Sequence, residues 1–313
     1  MGMHRRMVLA GTIALGLATL TACGTTAGSS TQTHSSATAG TTISVVASTN
    51  VWGDVTSQIA GDLANRTVQI TSIISDPNAD PHSYEVSTQN QLALSKAQIV
   101  IENGGGYDDF VTKMLDSAKN SSATVLNAVD ISGKKAQAGE ELNEHVWYDF
   151  GTVDKVAQQI SDALGEKDPA NKATYEANEK SFEQKVAGLT TTEQTIKSAH
   201  AGAPVAITEP VPVYMLEACG LVNKTPEEFS EAVEDGTDVA ASVLKQTTDL
   251  FDAKQVKLLA YNEQTTGDST TAVLDAAKRN DIPVVPVTET LPDGENYISW
   301  MQSNLDALSK ALG

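Results

Sequence analysis

The chain has 313 residues, 40% of them hydrophobic and only 5% aromatic. That is enough for one large domain or two medium ones with an aliphatic core, and too apolar for a disordered chain. A formal net charge of -19 argues against a surface for nucleic acid or anionic lipid, and is compatible with cationic ligands or with plain solubility.

At the N-terminus Arg5 and Arg6 precede the uncharged run MVLAGTIALGLATLTAC. A basic start, an apolar middle and small residues at the end predict a secretory signal, too short and too rich in Thr and Gly to span a bilayer. The run ends in LTAC followed by Gly24, which resembles a bacterial lipobox. Residues 1–22 are therefore expected to be a lipoprotein signal peptide, with Cys23 carrying the lipid. Cys219, in EACGL, is expected to be a small buried apolar residue, with a Cys23–Cys219 disulfide as the alternative. Residues 23–42 are almost all Gly, Ser, Thr and Ala and predict a flexible tether, in which His34 has no neighbouring ligand.

From residue 43 an α/β rhythm begins. ISVVAST reads as a buried strand, and VWGDVTSQIAGDL as a helix through Val51, Val55, Ile59 and Leu63. TVQITSII is a second strand, STQNQLALSKA a helix capped by Ser87, and QIVIEN a third strand. YDDFVTKMLDSAK is a helix and ATVLNAV a fourth strand. Residues 151–200 then change character: after VDKVAQQISDALGEKDP comes a stretch with no proline and one glycine, long enough for a helix of about 45 Å. The rhythm resumes with strands PVAITE, VKLLAYNE and IPVVPVTET. Between and after them come helices in PVYMLEACG, DVAASVLKQTTDLFDAK, TTAVLDAAKRND and NYISWMQSNLDALSKAL. The expected fold class is α/β, with parallel sheets: an N-terminal lobe over 43–168, a linking helix over 169–201 and a C-terminal lobe over 202–313. No sequence repeat relates the lobes.

Parallel sheets bind ligands beyond the carboxyl ends of their strands. His82 follows the second strand in SDPNADPHSYE, and His145 follows the fourth in NEHVWYDF. Glu209 follows PVAITE's strand, and Glu289 lies in VTETLP after the last one. The alternation of His145, Trp147 and Asp149 reads either as a strand end burying an imidazole for packing or as a ligand position. Glu209 is pinned between an apolar strand and PVPVY, where an unpaired carboxylate is costly to bury. Two imidazoles and two carboxylates carry charge -2, which one divalent cation cancels, and the donor set suits manganese, iron or zinc.

The motifs DPHSYE, HVWYDF, the strand leading to TEP, the closing VTETLP…NYISWM and ASTNVWGD together resemble the metal-binding solute-binding lipoproteins of manganese and zinc ABC transporters. The resemblance covers nearly all of residues 43–313. It implies two α/β lobes joined by one rigid helix, with the metal in the cleft between them and His82, His145, Glu209 and Glu289 as ligands. Glutamate at 209 leans towards manganese. The fourth position is usually aspartate, so Glu263 in YNEQTT stands as the alternative to Glu289. The chain lacks the His-rich loop of many zinc-specific members; GKKAQAGEELNE stands in its place. Outer partners are expected in Glu85, Asn143 and Glu144, with Asp149 capping the following helix and Trp147 packing beneath His145. His200 is expected to interact with the dipole at its helix end rather than to bind metal.

The function implied is an extracytoplasmic, lipid-anchored, monomeric receptor that captures manganese or zinc, with iron possible, and hands it to a membrane permease. The competing readings are an adhesin or interaction lipoprotein using metal structurally, and a metal-dependent hydrolase. The hydrolase needs an open coordination position and a general base, and no H-E-x-x-H or G-x-S-x-G element is present. An enzyme is not expected.

Overall fold

Two four-stranded parallel sheets organise the chain, and both have the same strand order: the second strand lies at an edge, then the first, the third and the fourth. A computed structural model describes residues 42–79, 84, 86–136 and 142–313. His82, Glu85 and Cys23, with the signal peptide and nearly all of the tether, lie outside the described residues.

In the first sheet β1 (Ile43–Thr49) pairs with β2 (Val68–Ile74) and with β3 (Ile99–Glu102), and β3 pairs with β4 (Thr124–Asn127). In the second, β5 (Pro204–Ile207) pairs with β6 (Val222–Asn223) and β7 (Leu259–Asn262), and β7 with β8 (Val284–Val287). The two-residue β6 is absent from the sequence reading: so short an edge strand has no alternation to detect. The internal symmetry thus lives in topology, where sequence shows only a shared rhythm.

The helices follow their apolar spacing. Helix α1 (Asn50–Ala60) buries Val51, Val55 and Ile59, as expected, and then gives way to a 3-10 turn that carries Leu63. Helix α2 (Thr88–Lys96) starts where Ser87 Oγ accepts the Asn90 N–H at 3.1 Å. Helix α3 is Asp109–Ala118, and α4 (Ala128–Ser132) is capped by Asn127. Helix α5 (Phe150–Lys167) packs along α6 (Lys172–His200), a 29-residue helix of about 44 Å at 1.5 Å per residue. Tyr175, Phe182, Val186, Leu189 and Ile196 form the buried stripe of α6, so it is a core element of the molecule as well as a link between its halves.

The second half adds α7 (Val213–Ala218), α8 (Glu227–Glu234), α9 (Ala241–Asp252), α10 (Asp268–Arg279) and α11 (Tyr297–Leu312). Helix α11 returns to the first half. The Tyr297 N–H donates to Asp54 Oδ2 at 2.8 Å and the Tyr297 hydroxyl to the Trp147 carbonyl at 2.7 Å. One apolar cluster accordingly runs from β1 and α1 through α5 and α6 to β5, β8 and α11. Cys219 is buried with a free thiol, and burial pushes its pKa up to about 12, as suits an inert core residue.

Candidate metal centre

The segment ahead of α5 is not a strand end. Val146–Tyr148 is a 3-10 turn, and Val146, Trp147 and Tyr148 are all buried, so the alternation in HVWYD reflects no pleat. His145 is 0% exposed and packs edge-on against Trp147, ring centroids 5.1 Å apart. Asp149 occupies the N-cap position of α5, but its carboxylate caps no backbone N–H. It accepts the Thr152 hydroxyl at 2.5 Å and pairs with Lys134 at 3.1 Å.

Asn143 sets the imidazole. Its Nδ2 donates to the Pro210 carbonyl at 3.0 Å, which fixes the amide orientation. Oδ1 then accepts from the His145 backbone N–H at 3.0 Å and faces Nδ1 at 2.8 Å. An amide oxygen beside Nδ1 assigns the proton to that nitrogen and leaves Nε2 with its lone pair. The Tyr214 hydroxyl donates to the Asn143 carbonyl at 2.6 Å, a second tie from the C-terminal half. Asn103 holds the neighbouring residue, its Nδ2 donating to the Glu144 carbonyl at 2.9 Å.

The C-terminal half contributes carboxylates. Glu209, just past β5, is 3% exposed, and Glu289, past β8, is 1% exposed. Asn262 Nδ2 donates to Glu289 Oε1 at 2.9 Å, and the Glu289 N–H donates to Gln264 Oε1 at 2.5 Å. Gln264 also reaches the first half: its Nε2 lies 3.1 Å from the Pro77 carbonyl, 3.0 Å from that of Ala79 and 2.7 Å from Thr290 Oγ1. Thr290 itself donates to the Pro77 carbonyl at 2.8 Å. Glu289 is thus mounted where the two halves are tied together. Glu263 is exposed one residue past β7.

Two residues at this place have no counterpart in the sequence reading. Tyr107 follows Gly104, Gly105 and Gly106, all at positive φ (80°, 71° and 102°), a run that glycine alone adopts without strain. Asp108 closes that loop by accepting the Asn103 and Gly104 N–H groups, and the Tyr107 ring is buried beside His145, ring centroids 5.9 Å apart. Burial, followed by the charges of Glu289 and Asp108, raises the Tyr107 pKa well above its ordinary value, so the phenol keeps its proton. The second is Glu234, the last residue of α8, whose Oε1 lies 3.7 Å from His145 Nε2. Burial first, then the nearby carboxylates of Glu144, Glu209 and Glu289, push the Glu234 pKa up to about 9. The run of three glycines was a readable signal for the first. For the second it was Pro226 ahead of Glu227 and Glu228, with Phe229 and Val233 four apart, which marks a helix start.

One ligand atom each from Glu144, His145 and Glu234 lies within 4.8 Å of the others. Glu209 and Glu289 lie within electrostatic reach of Glu234, so carboxylates of the C-terminal half surround the place where Glu234 faces His145 of the N-terminal half. A buried imidazole lone pair among carboxylates is suited to a cation: like charges a few ångströms apart repel by about 4 kcal/mol at an effective dielectric of 20, and a divalent ion removes that repulsion. Nitrogen and oxygen donors without thiolate suit a first-row divalent metal.

The family model described as zinc-uptake complex component A, periplasmic, matches residues 45–311. The manganese ABC transporter substrate-binding lipoprotein ScaA of Streptococcus gordonii is 27% identical over 304 residues, covering 90% of this chain and 93% of that protein. The manganese ABC transporter substrate-binding lipoprotein PsaA of Streptococcus pneumoniae is 24% identical, covering 86% and 89%. Among solved structures, a crystal structure of ZnuA superposes with a TM-score of 0.72 at 20% identity, over 87% of this chain and 100% of that one. A mutant of the laminin-binding adhesin Lmb from Streptococcus agalactiae gives 0.71 at 20% identity, with the same coverage.

Proposed function

Because this chain belongs to the metal-binding substrate-binding family that includes the periplasmic zinc-uptake complex component A, we propose that it captures manganese in preference to zinc outside the cytoplasmic membrane and delivers it to an ABC permease. Its cargo is one divalent ion, held by His82, His145, Glu209 and Glu289. Cys23 carries the lipid that anchors the mature chain, residues 23–42 tether it, and a monomer presents lobes 43–168 and 202–313 joined by α6. It acts as a binding component and not as an enzyme.

The observation that carries this reading is the burial of His145, Glu209 and Glu289 together, on segments from opposite halves of the chain. An isolated buried carboxylate costs several kcal/mol, so a fold that gathers several around a neutral imidazole is built for a cation. Glu289 is favoured over Glu263 as the acidic ligand because it is buried and oriented by Asn262, whereas Glu263 is exposed. The lean to manganese rests on a carboxylate at position 209 and on GKKAQAGEELNE, which holds no histidine.

Calorimetric titration of metal-stripped protein tests it. Wild type is expected to take up one manganese or zinc per chain, and His145→Ala to lose tight binding of both. Wild-type affinity in His145→Ala would remove the site assignment.

A further inference from the structure

We propose that Glu234 is a further direct ligand of the captured metal, and the residue that turns the site from zinc towards manganese. The inference rests on the metal-capture reading above and adds a donor from an element that the four-ligand set does not use.

The distance is the first argument. Glu234 Oε1 and His145 Nε2 are 3.7 Å apart. That is too long for a hydrogen bond, which reaches about 3.2 Å between nitrogen and oxygen. It suits two atoms bound to one ion: with bonds of about 2.2 Å, ligand atoms on the same metal are separated by at most about 4.4 Å.

The second argument is what faces what. Asn143 takes the proton-bearing side of the imidazole, so the nitrogen that Glu234 approaches is the one with a lone pair. A carboxylate oxygen and an imidazole lone pair attract each other only through a cation between them, and at 3.7 Å the gap is wider than a shared proton bridges. Glu234 Oε1 is buried and makes no hydrogen bond among the described residues, and its side chain is only 14% exposed.

The third is placement. Helix α8 buries Phe229 and Val233, which sets its roll, and Gly236 at φ 62° turns the chain away two residues later. Glu234 is therefore held at the end of a docked helix.

Its chemical consequence is selectivity. With Glu234 the proposed donors become two imidazoles and three carboxylates, and each carboxylate can bind through both oxygens. Zinc is satisfied by four donors in a tetrahedron, while manganese takes six, mostly oxygen. Zinc outcompetes manganese at an ordinary nitrogen–oxygen site, so preference for manganese must come from coordination number and oxygen content. Glu234 supplies both.

The test compares wild type with Glu234→Gln, which keeps shape and removes charge, and with Glu234→Asp, which keeps charge and shortens reach. Manganese and zinc affinities are measured by competition calorimetry, with metal-free melting curves to establish folding. Loss of outer partners typically weakens metal binding 10–100-fold, and a direct ligand should cost no less, so Glu234→Gln should weaken manganese at least about tenfold. Zinc should fall less than about threefold, because four donors remain for it. The Mn(II) electron paramagnetic resonance spectrum should change in Glu234→Gln, which a purely structural role would not cause, and Glu234→Asp should recover part of the manganese affinity. Equal losses for both metals, or none for either, with wild type binding normally, would overturn the role of Glu234 alone. A wild type that binds neither metal would overturn the metal-capture reading itself.

Discussion

Asn143→Ala should weaken metal binding while leaving every proposed ligand in place. Asn143 is the contact that chooses the tautomer of His145: its Oδ1 accepts from the backbone N–H at 3.0 Å and lies 2.8 Å from Nδ1. Alanine frees the ring to rotate and to carry its proton on Nε2, the nitrogen proposed to bind the ion. Partners of this kind are worth 10–100-fold in metal affinity, or about 1.4–2.7 kcal/mol. The fold itself should lose about 1–3 kcal/mol, from the N–H of His145 and the carbonyl of Pro210 left without their partner. Metal affinity from calorimetry and metal-free stability from urea unfolding separate the two effects. Asn143→Asp restores an acceptor to Nδ1 and should recover affinity although it cannot donate to Pro210. Wild-type affinity in Asn143→Ala, with stability alone reduced, would refute the assignment of the tautomer as the controlling feature.

Glu289→Ala should weaken metal binding more than Glu263→Ala, measured in the same titration; a loss confined to Glu263→Ala would reassign the acidic ligand. Glu193, on α6, is pushed up to about 8, by burial and then by the charge of Asp149. An unfolded glutamate titrates near about 4.3, so the native chain keeps a proton that the unfolded chain has lost. The stability this gives is full below about pH 4.3 and drains away as pH rises towards 8. Glu193→Gln should therefore gain on wild type in urea unfolding from pH 5 to pH 9, and a pH-independent difference would contradict this. Cys23→Ser should move the protein out of the membrane fraction without changing metal affinity; retention in the membrane would mean the leader is an uncleaved anchor.

The α/β rhythm was legible because buried strands and amphipathic helices leave strong periodic marks. The stripe of α6 from Tyr175 to Ile196 is the clearest case. Glu209 and Glu289 could be singled out because each lies just past a strand of a parallel sheet, whereas His145 lies beyond α4, just ahead of a 3-10 turn. What escaped was irregular or short. The residues after His145 alternate like a strand yet form a 3-10 turn, because Trp147 and Tyr148 both find core partners. Helix α8 spans only Glu227–Glu234, and its charged sequence reads as surface. Glu234 becomes notable only once folding sets it against His145. Tyr107 was assigned to a helix that in fact begins at Asp109, although the three glycines before it mark a turn that keeps it off that helix.

Metal content of the protein purified from its native membrane, without added metal, tests the central claim most directly. Close to one divalent transition metal per chain is expected, manganese ahead of zinc, released by a chelator without unfolding. Protein that is folded, metal-free and unable to take up either ion afterwards would contradict it.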